Sequence, residues 1–162
     1  MSNNVISKEN LVGTWKLVDF YTVNAQEKVS YPFGENPTGY LVYTENGYMS
    51  VSIMTTNRPL LGLSVEEMQD LKNAKLGLEL IGNLGKYLKA SLRYFSAGRN
   101  YLSYSGTYQI RGNSVIHNLE VSLVPDWIGL DFERNVKFSE GQIILTNMVK
   151  DTSYNLTWKL IP

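Results

Sequence analysis

Apolar and polar positions alternate through much of the chain. In residues 114–124, Val115, His117, Leu119, Val121 and Leu123 alternate with Ile116, Asn118, Glu120 and Ser122. A period of two marks a strand that buries one face. Strand-like segments of this kind run approximately over 11–22, 38–45, 48–55, 101–110, 114–124, 131–139, 142–149 and 154–161. Glycine-bearing turns join several of them. "ENGY" at 45–48 carries the Asn-Gly hairpin signal, and "RGNS" at 111–114 and "SEGQ" at 139–142 are weaker forms of it. Eight short strands with tight turns predict a mainly β fold, either a closed up-and-down antiparallel barrel or a sandwich.

The period changes between 64 and 95. Ser64 and Glu67 form a capping box, the reciprocal pairing that opens a helix. Met68, Leu71, Leu78, Ile81, Leu84, Leu88, Leu92 and Phe95 follow at three- and four-residue spacing, an amphipathic stripe. Gly77, Gly82 and Gly85 weaken the middle, so two helices with a kink fit as well as one. The chain therefore reads as a single domain, 1–162, with a helical insertion over about 57–100. That insertion reads equally as a strut packed outside the strands or as a lid over their open end. It is also a surface through which two copies could form a homodimer.

Turn lengths decide which side chains point inward. With Gly112-Asn113 as a two-residue turn, Tyr108 faces His117, and directly opposed residues share a face. That face also carries Leu102, Tyr104, Gly106, Ile110, Val115, Leu119, Val121 and Leu123. The opposite face is polar and would be costly to bury. With Glu140-Gly141 as the next turn, Phe132, Arg134, Val136, Phe138, Ile143, Leu145, Asn147 and Val149 point inward. An Asn46-Gly47 turn puts Tyr40, Val42, Met49, Val51 and Ile53 inside. On the first strand Gly13, Trp15, Leu17, Asp19 and Tyr21 share a face, and on the last Tyr154, Leu156, Trp158 and Leu160 do. The expected interior is apolar except for Asp19, His117, Arg134, Asn147 and several tyrosines. These groups either satisfy one another, Asp19 with Arg134 for example, or line a cavity that holds water or a ligand.

Composition narrows the chemistry. Fifteen basic residues balance fifteen acidic ones, against a nucleic-acid binder that draws affinity from clustered Lys and Arg. There is no cysteine and only one histidine, which argues against a disulfide, a thiolate nucleophile or a tight metal site. The start lacks a signal-peptide pattern and no stretch is long and apolar enough to span a bilayer, so a cytoplasmic protein without membrane partners is expected. The 11 Tyr, 5 Phe and 3 Trp suit half-buried strands, and also a pocket needing apolar contact with a few hydrogen bonds. No phosphate-cradling loop or G-x-S-x-G elbow occurs.

"LVGTWKLVDF" at 11–20 resembles the Gly-x-Trp opening of lipocalins. "PFGENPTGYLVYTENGYMSV" at 32–51 and "YLSYSGTYQIRGNSVIHNLEVSLVPDWIGLDFERNVKF" at 101–138 resemble the bacterial and fungal lipocalin-like domain family. The resemblance implies a small closed barrel around an internal cavity. It also brings in lipocalin-like proteins of natural-product pathways, which include cyclases and isomerases. The chain departs from the family pattern in a longer segment before "YLSYSGTY", in Asn118 where a second histidine is usual, and in Asp19 where a small polar residue is usual. Arg134 packed over Trp15 would be the structural role the resemblance implies for that arginine.

The leading expectation is a barrel that binds a small, largely apolar molecule without a cofactor or metal, using Trp15, Tyr40, Tyr104, Tyr108, Asn147 and Trp158 with His117 and Arg134. The alternative is a cofactor-free cyclase or isomerase on the same barrel, with His117, Asp19 and Arg134 as catalytic groups.

Overall fold

The computed structural model describes residues 6–73 and 84–162. The chain divides into two compact units, Met1–Thr56 with Tyr101–Pro162, and the intervening Asn57–Asn100. In the first unit a single helical turn, α1 (Lys8–Leu11), leads into β1 (Gly13–Val23). A two-residue strand, β2 (Val29–Ser30), folds back on the end of β1. The remaining strands are β3 (Thr38–Tyr43), β4 (Tyr48–Met54), β5 (Tyr101–Arg111), β6 (Ser114–Ser122), β7 (Asp131–Ser139), β8 (Gln142–Val149) and β9 (Thr152–Ile161). All pairings are antiparallel, and each of the strands from β3 to β9 pairs with the next. β1 pairs with both β3 and β9, which closes the eight long strands into a barrel. Closure leaves no long unpaired strand edge.

Inward positions form one apolar core. Trp15, Leu17, Leu41, Val51, Ile53, Leu119, Val136, Ile143, Leu145 and Trp158 are all buried in it. Leu11 of α1 is buried in the same cluster, and the Trp15 indole N–H donates to its carbonyl at 2.8 Å. The opening Gly-x-Trp segment thereby ties α1 to the start of β1.

Two of the three expected hairpin registers hold near their turns. Arg111 faces Ser114 and Tyr108 faces His117, while Ser139 faces Gln142 and Phe138 faces Ile143. The Asn46-Gly47 hairpin differs. Tyr43 pairs with Met49 and Leu41 with Val51, and the Thr44 N–H bonds the Tyr48 carbonyl at 2.9 Å. The loop therefore has three residues, with Gly47 at φ 89°, a conformation that glycine adopts freely. One extra loop residue inverts the facing of all of β3. Tyr43 and Leu41 are buried, and the Tyr40 expected inside is 47% exposed.

Two bulges produce the other departures. Leu17 pairs with Trp158 but Asp19 with Thr157, so Val18 is an extra residue on β1. Beyond it Phe20 and Thr22 turn inward, and Asp19 and Tyr21 point to the outer face. On β6, Leu119 faces Gly106 and Val121 faces Ser105, which leaves Glu120 unpaired. Val121 and Leu123, expected inside, are consequently exposed. Bulges of this kind bend a strand and raise its twist, which helps a sheet close on itself.

In the second unit, α2 (Val65–Asn73) and α3 (Leu84–Arg99) realise the helical reading at both ends. The capping box forms: the Ser64 N–H donates to Glu67 Oε2 at 2.8 Å, and the Glu67 N–H to Ser64 Oγ at 3.2 Å. Within this unit Arg93 donates to the carbonyls of Leu60 and Leu61, and Arg58 to that of Ala97. The stripe positions Leu78 and Ile81 lie outside the described residues, and Leu88, Leu92 and Phe95 are largely exposed.

The β6 bulge depends on one glycine. A Cβ on Gly106 would lie 1.9 Å from the Asn118 carbonyl oxygen and 2.9 Å from the Glu120 nitrogen, both backbone atoms that cannot swing away. Gly106→Ala should lower the unfolding free energy by at least about 2 kcal/mol. A urea denaturation curve with an unchanged midpoint would refute this account of the bulge.

Candidate functional site

Strand alternation points one set of side chains into a cavity of about 610 Å³ inside the barrel. Its walls are largely apolar, with Phe20, Leu41, Val51, Ile53, Leu145 and Leu156 among them. The connections add Phe33, between β2 and β3, and Trp127, in the 3-10 turn Pro125–Trp127. Trp127, Phe132 and Tyr104 form an edge-to-face cluster with ring centroids 5.2–6.4 Å apart. Pairs of this geometry each contribute about 0.5–1.5 kcal/mol beyond their buried area.

The polar groups concentrate around His117. Its ring is 1% exposed. Nε2 lies 2.6 Å from the Tyr43 hydroxyl, and Nδ1 lies 3.3 Å from that of Tyr104. A buried imidazole without these partners would forfeit its hydration uncompensated. Burial, reinforced by the positive charge of Arg134, pushes the His117 pKa down to about 3, so the ring is neutral at neutral pH. Burial raises the Tyr43 pKa well above its ordinary value. It also raises that of Tyr104, against the opposing charge and hydrogen bond of Arg134. The cluster is thus a neutral hydrogen-bonded chain with one cation beside it.

Arg134 lines the cavity from β7. Its guanidinium lies over the Phe132 ring, 5.1 Å from the centroid, and donates to the Glu133 carbonyl at 3.3 Å. No carboxylate pairs with it among the described residues. Trp158 also lines the cavity, and its indole N–H is buried with no hydrogen-bond partner among the described residues. Since most buried donors are satisfied, this N–H is an exception within the core.

The structure brings together His117, Arg134, Tyr104, Asn147 and Trp158 of the residues expected at the site. It does not bring in Asp19, which the β1 bulge carries to the outer face opposite Thr157. Tyr40 is outside as well, because of the three-residue loop. Trp15 and Tyr108 are buried but are not among the cavity-lining residues. Trp15 bonds Leu11, and the Arg134 ring contact is with Phe132. The Tyr108 hydroxyl donates to the Thr44 carbonyl at 2.9 Å, and its ring sits edge-on to Tyr43 with centroids 4.8 Å apart. Tyr43, the residue in closest contact with His117, was not a site candidate from sequence. The signal was present, since "TENGY" fits a three-residue loop with glycine last as well as a two-residue turn.

A family model described as a lipocalin-like domain matches residues 12–160. Among solved structures the chain is similar to a lipocalin-like protein from Bacteroides uniformis, at 11% identity over 93% of this chain and 99% of that one, with a TM-score of 0.43. It is also similar to the fluorescent protein UnaG, at 12% identity over 96% of this chain and 100% of that one, with a TM-score of 0.41. No curated protein matches significantly. Among the described residues no helix is long and apolar enough to cross a membrane.

The buried neutral histidine has a consequence for stability. Its folded pKa of about 3 lies below the ordinary 6.5. Between those values the unfolded chain binds the proton that the folded chain refuses, so stability rises with pH through that window. The His117 contribution should therefore be lost on acidification below pH 6.5, at about 1.4 kcal/mol per pH unit at most. Urea unfolding at a series of pH values, compared with His117→Gln, isolates it. Identical pH slopes in the two proteins would contradict the assignment.

Proposed function

Since the chain belongs to the lipocalin-like domain family and its barrel holds a cavity, we propose that it binds a small, largely apolar molecule inside that barrel. The observation that carries this reading is the cavity of about 610 Å³, walled mainly by aliphatic and aromatic side chains with a few polar groups on one side. Pockets of this size and composition suit a small organic molecule. Apolar contact supplies affinity, and the polar groups set orientation.

Acid–base catalysis is the weaker reading. Asp19 stands on the opposite face of β1 from the cavity, so it cannot share a proton with His117. His117 has both ring nitrogens engaged and a pKa of about 3, far from the value that suits a general base at neutral pH.

The test is direct. The uncharged probe N-phenylnaphthylamine should gain fluorescence on binding the protein. Leu156→Trp, which puts an indole into the cavity volume, should weaken that binding by about tenfold or more while circular dichroism stays unchanged. Equal binding by both proteins, or none by either, would remove the support for an internal ligand.

A further inference from the structure

The hydrogen-bond chain around His117 has a direction, and the direction says what the cavity presents to a ligand. A neutral imidazole carries one N–H. The 2.6 Å separation of Tyr43 Oη from Nε2 is shorter than an N–H donor ordinarily allows, and fits a hydroxyl donor. Tyr43 therefore donates to Nε2. The ring proton then sits on Nδ1 and points at Tyr104 Oη, 3.3 Å away, a long N–H···O contact. Arg134 lines the cavity together with Tyr104 and can only donate. The Tyr104 oxygen thus accepts from Nδ1, and its own proton is donated elsewhere. Tyr104 lines the cavity.

One more donor shares these walls. Arg134 has five N–H groups, of which the Glu133 carbonyl occupies only part. Asp131, the acidic residue of the lining, is exposed and accepts from Asn118 Nδ2 at 2.6 Å, so its charge is engaged away from the arginine. The cavity therefore sets one cation and the Tyr104 hydroxyl against apolar walls.

From this we propose that the ligand carries a carboxylate, seated on the Arg134 guanidinium and the Tyr104 hydroxyl, with an apolar body against the aliphatic and aromatic walls. The inference rests on the reading that the cavity holds an apolar molecule, and it adds the chemistry of the polar end. A carboxylate offers two oxygens that only accept, the complement of a guanidinium that only donates. An alcohol or ester would leave the cation uncompensated.

Dodecanoate and its methyl ester share an apolar chain and differ in charge, so calorimetric titration of the protein with each separates the two claims. The acid should bind at least about tenfold tighter than the ester. In Arg134→Gln the acid-to-ester affinity ratio should fall toward one. In Tyr104→Phe, which removes only the hydroxyl, it should fall part of the way. Carbon NMR of carboxyl-labelled dodecanoate should show the bound group ionised to lower pH than in the free acid, and Arg134→Gln should return that titration toward the free value. Thermal melting checks that each variant folds, and Tyr104→Phe serves alone if Arg134→Gln does not. Equal affinities for acid and ester, or a preference that survives Arg134→Gln, would overturn the carboxylate and leave the apolar-ligand reading standing. Binding of neither compound would overturn both.

Discussion

A fully buried imidazole must have both nitrogens hydrogen-bonded or remain a defect in the core. In this barrel the two partners come from separate strands, Tyr43 at the end of β3 and Tyr104 in the middle of β5. Neither strand pairs with β7, which contributes Arg134. Meeting at His117 requires that β3, β5 and β6 each hold one register, and a slip of one residue in any of them breaks a hydrogen bond as well as inverting a face. The polar cluster thus fixes the register that the apolar core merely favours.

The same cluster separates a wet problem from a dry one. Its tyrosines and histidine are neutral, so the only full charge among them belongs to Arg134, on the cavity side. Fields in a partly dehydrated cavity are stronger than in water. That charge is felt at Tyr43, Tyr104 and His117 alike, each of which has its proton affinity lowered by it. A lipocalin-like barrel supplies the enclosure, and this chain's own residues supply the asymmetry, apolar on most walls and donating on one.

Irregularities in the strands do much of the placing. The extra residue Val18 turns Phe20 into the cavity and Asp19 away from it. The extra residue Glu120 follows the close approach of β5 and β6 that Gly106 permits. Glu45-Asn46-Gly47, one residue longer than the shortest hairpin loop, turns Tyr43 inward. Each shifts a whole run of side chains by one position, which is how small local changes select the chemistry of the interior.

The sequence by itself determined the strands, their approximate bounds, the capping box at Ser64 and the inward facing of His117, Arg134, Tyr104, Asn147 and Trp158. These follow from period-two alternation and from turns whose length the residues state, and both are local properties of the chain. It did not determine the facing of Asp19, Tyr40, Tyr43, Val121 and Leu123, all of which lie beyond a bulge or a loop of ambiguous length. A bulge leaves no mark on the alternation of either flanking half. It forms because two strands must bend together to close the barrel, and a Cβ at Gly106 would prevent that approach. Only packing across the barrel could decide that Tyr43 reaches His117 and that Asp19 does not.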